Sequence, residues 1–371
     1  MRALVTGGAG FIGSHLVDAL LGQNWEVVVL DNLQARVHPH GLPEWFPPRA
    51  EFLRGSVLDQ AAVLRALEGV DVVFHEAAYQ DYMTDFSQFA QVNVTGVSLI
   101  YECIVRDKLA VKKVIVASSQ AVYGEGQFNC SQHGFFLPRP RSHQQLQKGE
   151  WEVKCPRCGR VSQPLLLLEE HANPFNQYAV SKYAGERMAL GLGWIYQIPT
   201  VALRYSITQG PRQSLFNHYS GICRILTSRL RNGLAPIIYE DGMQTRDFIH
   251  VSDVVEANIL ALQNERANFQ AFNVGSGIPV TVQSYAERLC EAINPRLRLA
   301  LPGEYRVGDN RHSVSSIENL KVLGWKPKKT LDNIICDFLA WVDAIGGIPE
   351  EAFQAETIMR ESGVVQRVGT D

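Results

Sequence analysis

The chain predicts an α/β protein built on a doubly wound parallel sheet, followed by a smaller mixed lobe and interrupted by one inserted segment. Short apolar runs rich in β-branched residues alternate with amphipathic stretches through residues 1–124, the pattern of parallel strands covered by helices. A glycine-rich turn joins the first apolar run to the first amphipathic one. Residues 125–172 then break the pattern, being polar and rich in Gln, Pro, Arg and His, before it resumes.

Arg2-Ala3-Leu4-Val5 breaks into Thr6-Gly7-Gly8-Ala9-Gly10-Phe11-Ile12-Gly13, and an amphipathic run from Ser14 to Leu21 follows. That order reads as strand, turn, helix. A second β-branched run, Trp25 to Leu30, ends in Asp31 and completes a βαβ unit. The glycines at 7, 10 and 13 have distinct roles: one permits the tight turn, one lets backbone approach a pyrophosphate, and one lets helix pack on strand. The helix N-terminus offers unpaired N–H groups to the phosphates. Asp31 stands where a carboxylate accepts hydrogen bonds from both hydroxyls of an adenine ribose. It would repel a 2′-phosphate, so the unit reads as binding NAD in preference to NADP.

A proline-rich loop, His38 to Pro48, is expected to cover the adenosine side. Glu51 to Gly55 reads as a strand, Ala61 to Leu67 as a helix, and Val70 to His75 as a strand that ends in the small pair Ala77-Ala78. Small side chains at a strand's C-terminal end leave room for a cofactor. Asn93 to Val105 has helical spacing, and the strand Lys113 to Ala117 runs into Ser118-Ser119-Gln120-Ala121. After the insertion come a helix from Asn176 to about Leu192 and a strand, Thr200 to Arg204. Less regular segments follow: a helix from Tyr219 to Leu230, a strand Ile237-Ile238-Tyr239, a helix from Val251 to Leu262 and a strand Ala271 to Val274. Residues 346–371 lack strong periodicity and read as a surface helix with a mobile end.

A formal net charge of −3 gives no basic field, so nucleic acid is not an expected partner. No apolar run is long enough for a membrane span, and the chain opens on a buried strand instead of a leader, so a soluble, unexported, cytoplasmic protein is expected. Seven cysteines is an odd count. Cys103, Cys223 and Cys336 fall in apolar helical stretches where a reduced thiol behaves as a small hydrophobe, and no disulfide framework is expected.

Tyr178 and Lys182 are one helical turn apart and share a face. An adjacent ammonium favours the phenolate over the phenol, which makes Tyr178 a base within reach of neutral pH. Ser119, at the end of its strand, can hydrogen-bond the same substrate hydroxyl and help move its proton. Together the three suit removal of a hydroxyl proton while hydride leaves the carbon. Within the insertion, Cys130-x-x-His133 and Cys155-x-x-Cys158 have the spacing of two zinc knuckles, with His143 or His171 as replacement ligands. Four such ligands suit a structural Zn2+, which would stand in for a core that so short and polar a segment cannot build. Lying between the Ser119 and Tyr178 motifs, the insertion is expected near the pocket as a lid.

The chain resembles the extended short-chain dehydrogenase/reductase family, in its nucleotide-sugar epimerase/dehydratase branch. The matching pieces run from Thr6–Gly13 and Asp31-Asn32 through His75-Glu76-Ala77-Ala78, Asn93, Ser118-Ser119 with Val122-Tyr123-Gly124, and Tyr178 to Lys182. They continue with Gly210 to Gln213, Gln244 to Val251 and Asn273 to Gly275. The resemblance implies a Rossmann-type NAD-binding domain over 1–124 and 173–205, the insertion at 125–172, a mainly nucleotide-sugar-binding lobe over 206–345 and a tail over 346–371. It implies that Tyr178 is the base, that Lys182 holds the nicotinamide ribose and that Ser119 is the substrate-side donor. Gly7, Gly10, Phe11, Ile12, Gly13, Asp31, Asn32, Val57, Ala77, Ala78, Asn93 and Ser118 would contact NAD. Gln120, Arg212, Arg246 and Arg306 would contact substrate, with Arg246 and Arg306 on its diphosphate. The plain alternative for Arg246 is an ion pair with Asp247.

Departures narrow the reaction. Family dehydratases have an Asp-Glu pair after the catalytic Ser or Thr, and related decarboxylases and two-carbon epimerases a Glu or Cys; here Gln120 and Ala121 have no titratable proton. What remains is epimerisation at C4 through a 4-keto sugar. A 4-ketoreductase or dehydratase of the same family is the alternative, and a non-catalytic NAD-binding protein a further one. Ser206 replaces a common Asn, and Ser56 replaces an Asp that often holds adenine. Sequences with such an insertion resemble the group assigned as dTDP-L-rhamnose 4-epimerases. The resemblance also implies a homodimer through the helices beginning near Asn93 and Tyr178.

Overall fold

The computed structural model describes residues 1–81, 84–217, 221–348, 360–361 and 363–369. β1 (Arg2–Thr6) leads through the glycine turn into α1 (Phe11–Gly22), and β2 (Glu26–Asp31) and β3 (Glu51–Arg54) follow in parallel register, with Val5 beside Val29 and Val29 beside Phe52. α2 (Gln60–Ala66) is N-capped by the Asp59 carboxylate and leads to β4 (Val72–His75). α3 (Phe86–Ala90) passes through one wide helical turn, residues 91–95, into α4 (Gly96–Arg106), and then comes β5 (Lys113–Ser119). The helix expected from Asn93 thus begins as that wide turn.

The insertion folds as a small antiparallel sheet of β6 (Gln127–Cys130), β7 (Gly134–Phe136) and a later strand, with α5 (His143–Gln147) between. That later strand is β8 (Gln163–Leu165), and α6 (Gln177–Tyr196) and β9 (Thr200–Tyr205) bring the chain back to the main sheet. Next come β10 (Ile207–Gln209), α7 (Ile222–Arg231), β11 (Thr245–Arg246), β12 (Phe248–His250), α8 (Val251–Gln263) and β13 (Gln270–Val274). The remainder is β14 (Val280–Thr281), α9 (Val282–Ile293), β15 (Glu304–Arg306), β16 (His312–Ser313), α10 (Glu318–Val322), α11 (Leu331–Ala344) and β17 (Val365–Arg367).

The main sheet has the strand order β13-β9-β5-β4-β1-β2-β3 and is parallel throughout. Alternation along β1 divides the core. Ala3 and Val5 face a layer with Leu16, Leu20 and Val254 from α1 and α8, while Leu4 faces Val63, Ile100 and Ala189 from α2, α4 and α6. Each of the valine, leucine and isoleucine side chains contributes roughly 1.5–3 kcal/mol by leaving water. A third cluster, built on Leu226, Tyr285, Leu289 and Phe338 of α7, α9 and α11, forms the smaller lobe. The strand order reverses between β1 and β4, and the C-terminal ends of β1, β4 and β5 open there into a crevice, the place where such sheets take ligands.

Several expectations are corrected. β13 is the edge strand of the main sheet and α8 packs on that sheet, so part of 206–345 belongs with the first half. Parallel pairing to β9 is a long-range property that local periodicity does not show. Ile237 makes only an isolated bridge to Ala300 and no strand forms there among the described residues. The helix expected from Tyr219 starts at Ile222, Tyr219 itself lying outside the described residues. Most of the expected helix over 346–371 lies outside them too, and its Val365–Arg367 is a strand paired antiparallel with β15. Cys336 is exposed, whereas Cys103 and Cys223 are buried. Among the described residues no helix is long and apolar enough to cross a membrane.

Candidate active site

A cavity of about 720 Å3 runs from the glycine turn, past the ends of β4 and β5, to the smaller lobe. At its first end the backbone dictates the shape. Gly7 has φ +69°, and a Cβ there would stand 2.7 Å from the Ala77 backbone nitrogen; a Cβ on Gly13 would collide with the Gly7 carbonyl oxygen. Both positions therefore require glycine. Gly10 precedes α1 with no side-chain cap, which leaves the first N–H groups of the helix to whatever anion enters. Asp31 is held in place from both sides, its carboxylate accepting the Ala9 N–H at 3.1 Å and the Leu33 N–H at 2.9 Å. Arg36 is engaged by Asp81 and Tyr79. The uncapped helix and the fixed carboxylate fit a dinucleotide without a 2′-phosphate.

Gly7, Gly10, Phe11, Ile12, Gly13, Asp31, Asn32, Val57, Ala77, Ala78 and Ser118 all line the cavity. Asn93 does not. It is buried behind the wall, where its amide accepts the Tyr79 N–H at 2.8 Å and donates to the Tyr79 carbonyl and to Ser181. Asn93 thereby fixes the backbone of Tyr79, which lines the cavity. Ser118 turns its hydroxyl to Glu186 at 2.6 Å, and Glu186 in turn meets Arg204 through both oxygens, at 2.6 and 2.9 Å. Such a satisfied buried network holds the end of β5 rigid.

Where the strand ends meet, Tyr178 from α6 hydrogen-bonds Ser119 from the end of β5, and Lys182 lies one turn further along α6. Burial pushes the Tyr178 phenol above its ordinary value, and the Ser119 hydrogen bond only partly offsets this. Burial also pulls the Lys182 ammonium down to about 8, against Glu76 and Glu186. Withdrawal from water is thus the dominant influence on the phenol, and the lowering expected from the Lys182 ammonium has that penalty to overcome. Sequence reasoning assigned Glu76 no role. It lines the cavity, accepts the Tyr205 hydroxyl at 2.9 Å and is pushed up to about 7 by burial. Its signal was a lone carboxylate at a strand end otherwise made of small residues.

Gln120, Arg212, Arg246 and Arg306 also line the cavity. Gln120 donates its amide to Ser206 at 3.0 Å and Ser315 at 2.7 Å. Arg212 pairs with Asp18 at 2.7 Å. Arg246 pairs with Asp309 at 3.0 Å and not with Asp247, which is buried and accepts from Ser206, Ser276 and the Ser315 backbone. Arg306 lies over the Tyr239 ring at 5.3 Å. Although burial opposes it, Arg246, Arg306 and Arg141 hold Asp309 below its usual carboxylate range. Asp309 carried no signal in the sequence, because nothing local tells which of several acids meets an arginine from another element.

The insertion brings Cys130, His133, Cys155 and Cys158 together, one ligand atom from each lying within 4.8 Å of the others. Cys155 and Cys158 sit on a tight turn closed by the Gly159 N–H to Cys155 carbonyl bond at 2.8 Å. The N–H groups of Gln132 and His133 help hold the Cys130 thiol down at about 6, which suits a thiolate ligand. His143 is exposed at the start of α5, and His171 turns to Gln127 and the Phe135 ring, so neither joins the group. Among the described residues, none of 125–172 lines the cavity. The expected lid is corrected to a buttress, bound to the outside of the segment 309–315 through Glu125, Arg141, Glu152 and Leu167.

The sequence pattern of the NAD dependent epimerase/dehydratase family matches residues 3–147 and 158–275, and the gap lies inside the insertion. A dTDP-L-rhamnose 4-epimerase of Burkholderia thailandensis is 31% identical over 348 residues, 92% of this chain and 94% of the relative. Among solved structures, the UDP-glucose 4-epimerase of Thermotoga maritima with UDP-glucose is 28% identical with a TM-score of 0.73, covering 93% of this chain and 99% of that one. The UDP-glucose 4-epimerase of Thermus thermophilus in complex with NAD is 29% identical with a TM-score of 0.72, covering 92% and 99%.

Proposed function

Because the chain belongs to the NAD-dependent epimerase/dehydratase family, we propose that it is a nucleotide-sugar 4-epimerase, taking dTDP-L-rhamnose or a related nucleoside-diphosphate hexose. The observation that carries this is the Ser119–Tyr178 hydroxyl pair beside Gln120, whose amide is tied to Ser206 and Ser315. The site holds an acid–base pair for one hydroxyl and has no titratable side chain at 120 or 121 for an elimination.

NAD, when bound, supplies the hydride acceptor at C4 and returns the hydride, and its positive ring favours the phenolate. The N-terminus of α1 would hold the pyrophosphate, Asp31 the adenine ribose and Lys182 the nicotinamide ribose. Tyr178 takes the O4 proton as C4 becomes a ketone, with Ser119 keeping the oxygen in line, and gives the proton back when the alcohol reforms. Arg246 and Arg306 hold the diphosphate, so the sugar can turn while the nucleotide stays. In this reading residues 1–124 and 173–205, with α8 and β13, form the NAD half, and the rest of 206–345 the sugar half. The Cys/His group is a structural zinc site, which with the reduced thiols favours a cytoplasmic setting. Homodimer pairing through α4 and α6 is supported by Val180, Met188, Trp194, Ile195 and Tyr196, all exposed on α6.

The test is to incubate purified protein with a panel of dTDP- and UDP-hexoses without added cofactor and to follow C4 by NMR. Inversion at C4 alone is expected. Products altered at C5 or C6, or turnover only with added NADH or NADPH, would replace this reading by the dehydratase or reductase one.

A further inference from the structure

The Cys/His module and the diphosphate end of the cavity are mechanically joined. Between the ligand pairs Cys130/His133 and Cys155/Cys158 runs an arm, residues 134–154, that has little apolar material of its own: Leu146 and Val153 are buried, while Phe135 and Leu137 are exposed. The arm is tied to the ligand cluster at both ends, through His133 and Cys155, and along its length to the smaller lobe. Arg141 donates to the Asp309 carbonyl at 2.7 Å and meets Glu240 at 2.9 Å and Glu125 at 3.2 Å. Glu152 accepts from Arg311 at 2.6 Å and meets His312 at 3.2 Å. The Trp151 ring lies 6.0 Å from that of Tyr305. The segment so held, 306–312, carries two of the three partners that hold the Arg246 guanidinium, the Asp309 carboxylate at 3.0 Å and the Arg311 carbonyl at 3.2 Å; the third is the Thr245 carbonyl at 3.0 Å.

We infer that Cys130, His133, Cys155 and Cys158 bind one Zn2+ whose presence, acting through Arg141 and Glu152 on the 306–312 segment, sets how tightly the site grips the diphosphate of its nucleotide substrate. That grip rests on the substrate assignment made above, but its test does not use turnover alone. The zinc closes the two ligand pairs into one rigid unit, as metal does in segments without a core. Arg141 and Glu152 are positioning residues: they touch the Asp309–His312 strip and not the cavity. With the arm loosened, Asp309 and Arg311 no longer fix the Arg246 guanidinium, and a charge-assisted bond to phosphate is lost, a change of about tenfold in affinity. The glycine turn and Asp31 are untouched, so the dinucleotide should bind as before.

The experiment measures metal content of the full-length protein as purified, then Kd for dTDP, UDP and NAD by calorimetry before and after removal of metal by a chelator and after return of Zn2+. One zinc per chain is expected, with dTDP or UDP binding about tenfold weaker in the stripped protein, restored by Zn2+, and NAD binding unchanged. Glu152→Gln should keep its zinc yet weaken dTDP or UDP binding and raise KM more than it lowers kcat. Protein purified without zinc would overturn the metal site. Zinc-replete Glu152→Gln with unchanged dTDP and UDP binding would overturn the coupling, even if the stripped protein proves too unstable to measure. Failure of C4 inversion with zinc-dependent nucleotide binding intact would overturn the epimerase reading and leave this one standing.

Discussion

The phenol of Tyr178, carried on α6, and the hydroxyl of Ser119, carried on the end of β5, are hydrogen-bonded to each other across the crevice. Two elements from separate parts of the chain thereby present one proton relay. Tyr178→Phe removes the group that exchanges the proton while keeping the ring. The rate of C4 inversion should fall by about 10²- to 10⁴-fold, with Ser119→Ala falling less, and far-UV circular dichroism should be unchanged in both.

Asp31 is aimed by the Ala9 and Leu33 N–H groups, so its charge is fixed where a ribose would lie. Asp31→Asn keeps an acceptor for one of those bonds and removes the charge. NAD affinity should drop relative to NADP by about tenfold, the scale of one charge-assisted hydrogen bond. Titration of the cofactor-free protein with each dinucleotide measures the ratio.

His75 is buried against Thr6 Oγ1, at 2.9 Å, and its other ring nitrogen has no partner among the described residues. Burial first, and then the Lys182 charge, push its pKa down to about 3. An unfolded histidine titrates near 6.5, so between those values the unfolded chain binds a proton that the folded one does not. This contribution is fully present above pH 6.5 and is lost as pH falls toward 3; at pH 5 the loss is about 2 kcal/mol, at 1.36 kcal/mol per pH unit. Urea unfolding at pH 7.5 and pH 5 should show that His75→Gln loses correspondingly less stability than the parent between the two.

Gly185 faces the wide turn at 91–95, and a Cβ there would collide with the Asn93 carbonyl oxygen. Backbone cannot retreat cheaply. Gly185→Ala should cost about 1–3 kcal/mol in urea unfolding at neutral pH by forcing α6 off its neighbour, and Tyr178 and Lys182, on the same helix, should lose activity with it.

The sheet and its glycine turn were legible because their signals are local: Ala3 and Val5 alternate with Leu4, and Gly7, Gly10 and Gly13 stand at fixed offsets before a helix. Asp31, Ser119, Tyr178 and Lys182 were legible because strand ends and helical spacing place them whatever the loops do. Asn93, assigned to the cofactor by resemblance, meets Tyr79 and Ser181, partners that only the folded chain brings to it. Arg246 and Asp247 are neighbours in sequence, yet Arg246 closes β11 while Asp247 lies between β11 and β12 and is taken up by Ser206, Ser276 and the Ser315 backbone, and Asp309 takes the arginine. β13 and the buttressing insertion depend on pairing between distant segments, which no window of sequence contains. The Tyr178 pKa depends on the depth of the cavity, which only the folded chain reveals.

Hydride removal and return at one carbon is the central claim, and a nucleotide sugar carrying deuterium at C4 tests it most directly. Incubated with the protein as purified and no added cofactor, dTDP-L-rhamnose or a related hexose should give the C4-inverted product with its deuterium still on C4. Loss of the label to solvent, or inversion that consumes added reduced cofactor mole for mole, would contradict it.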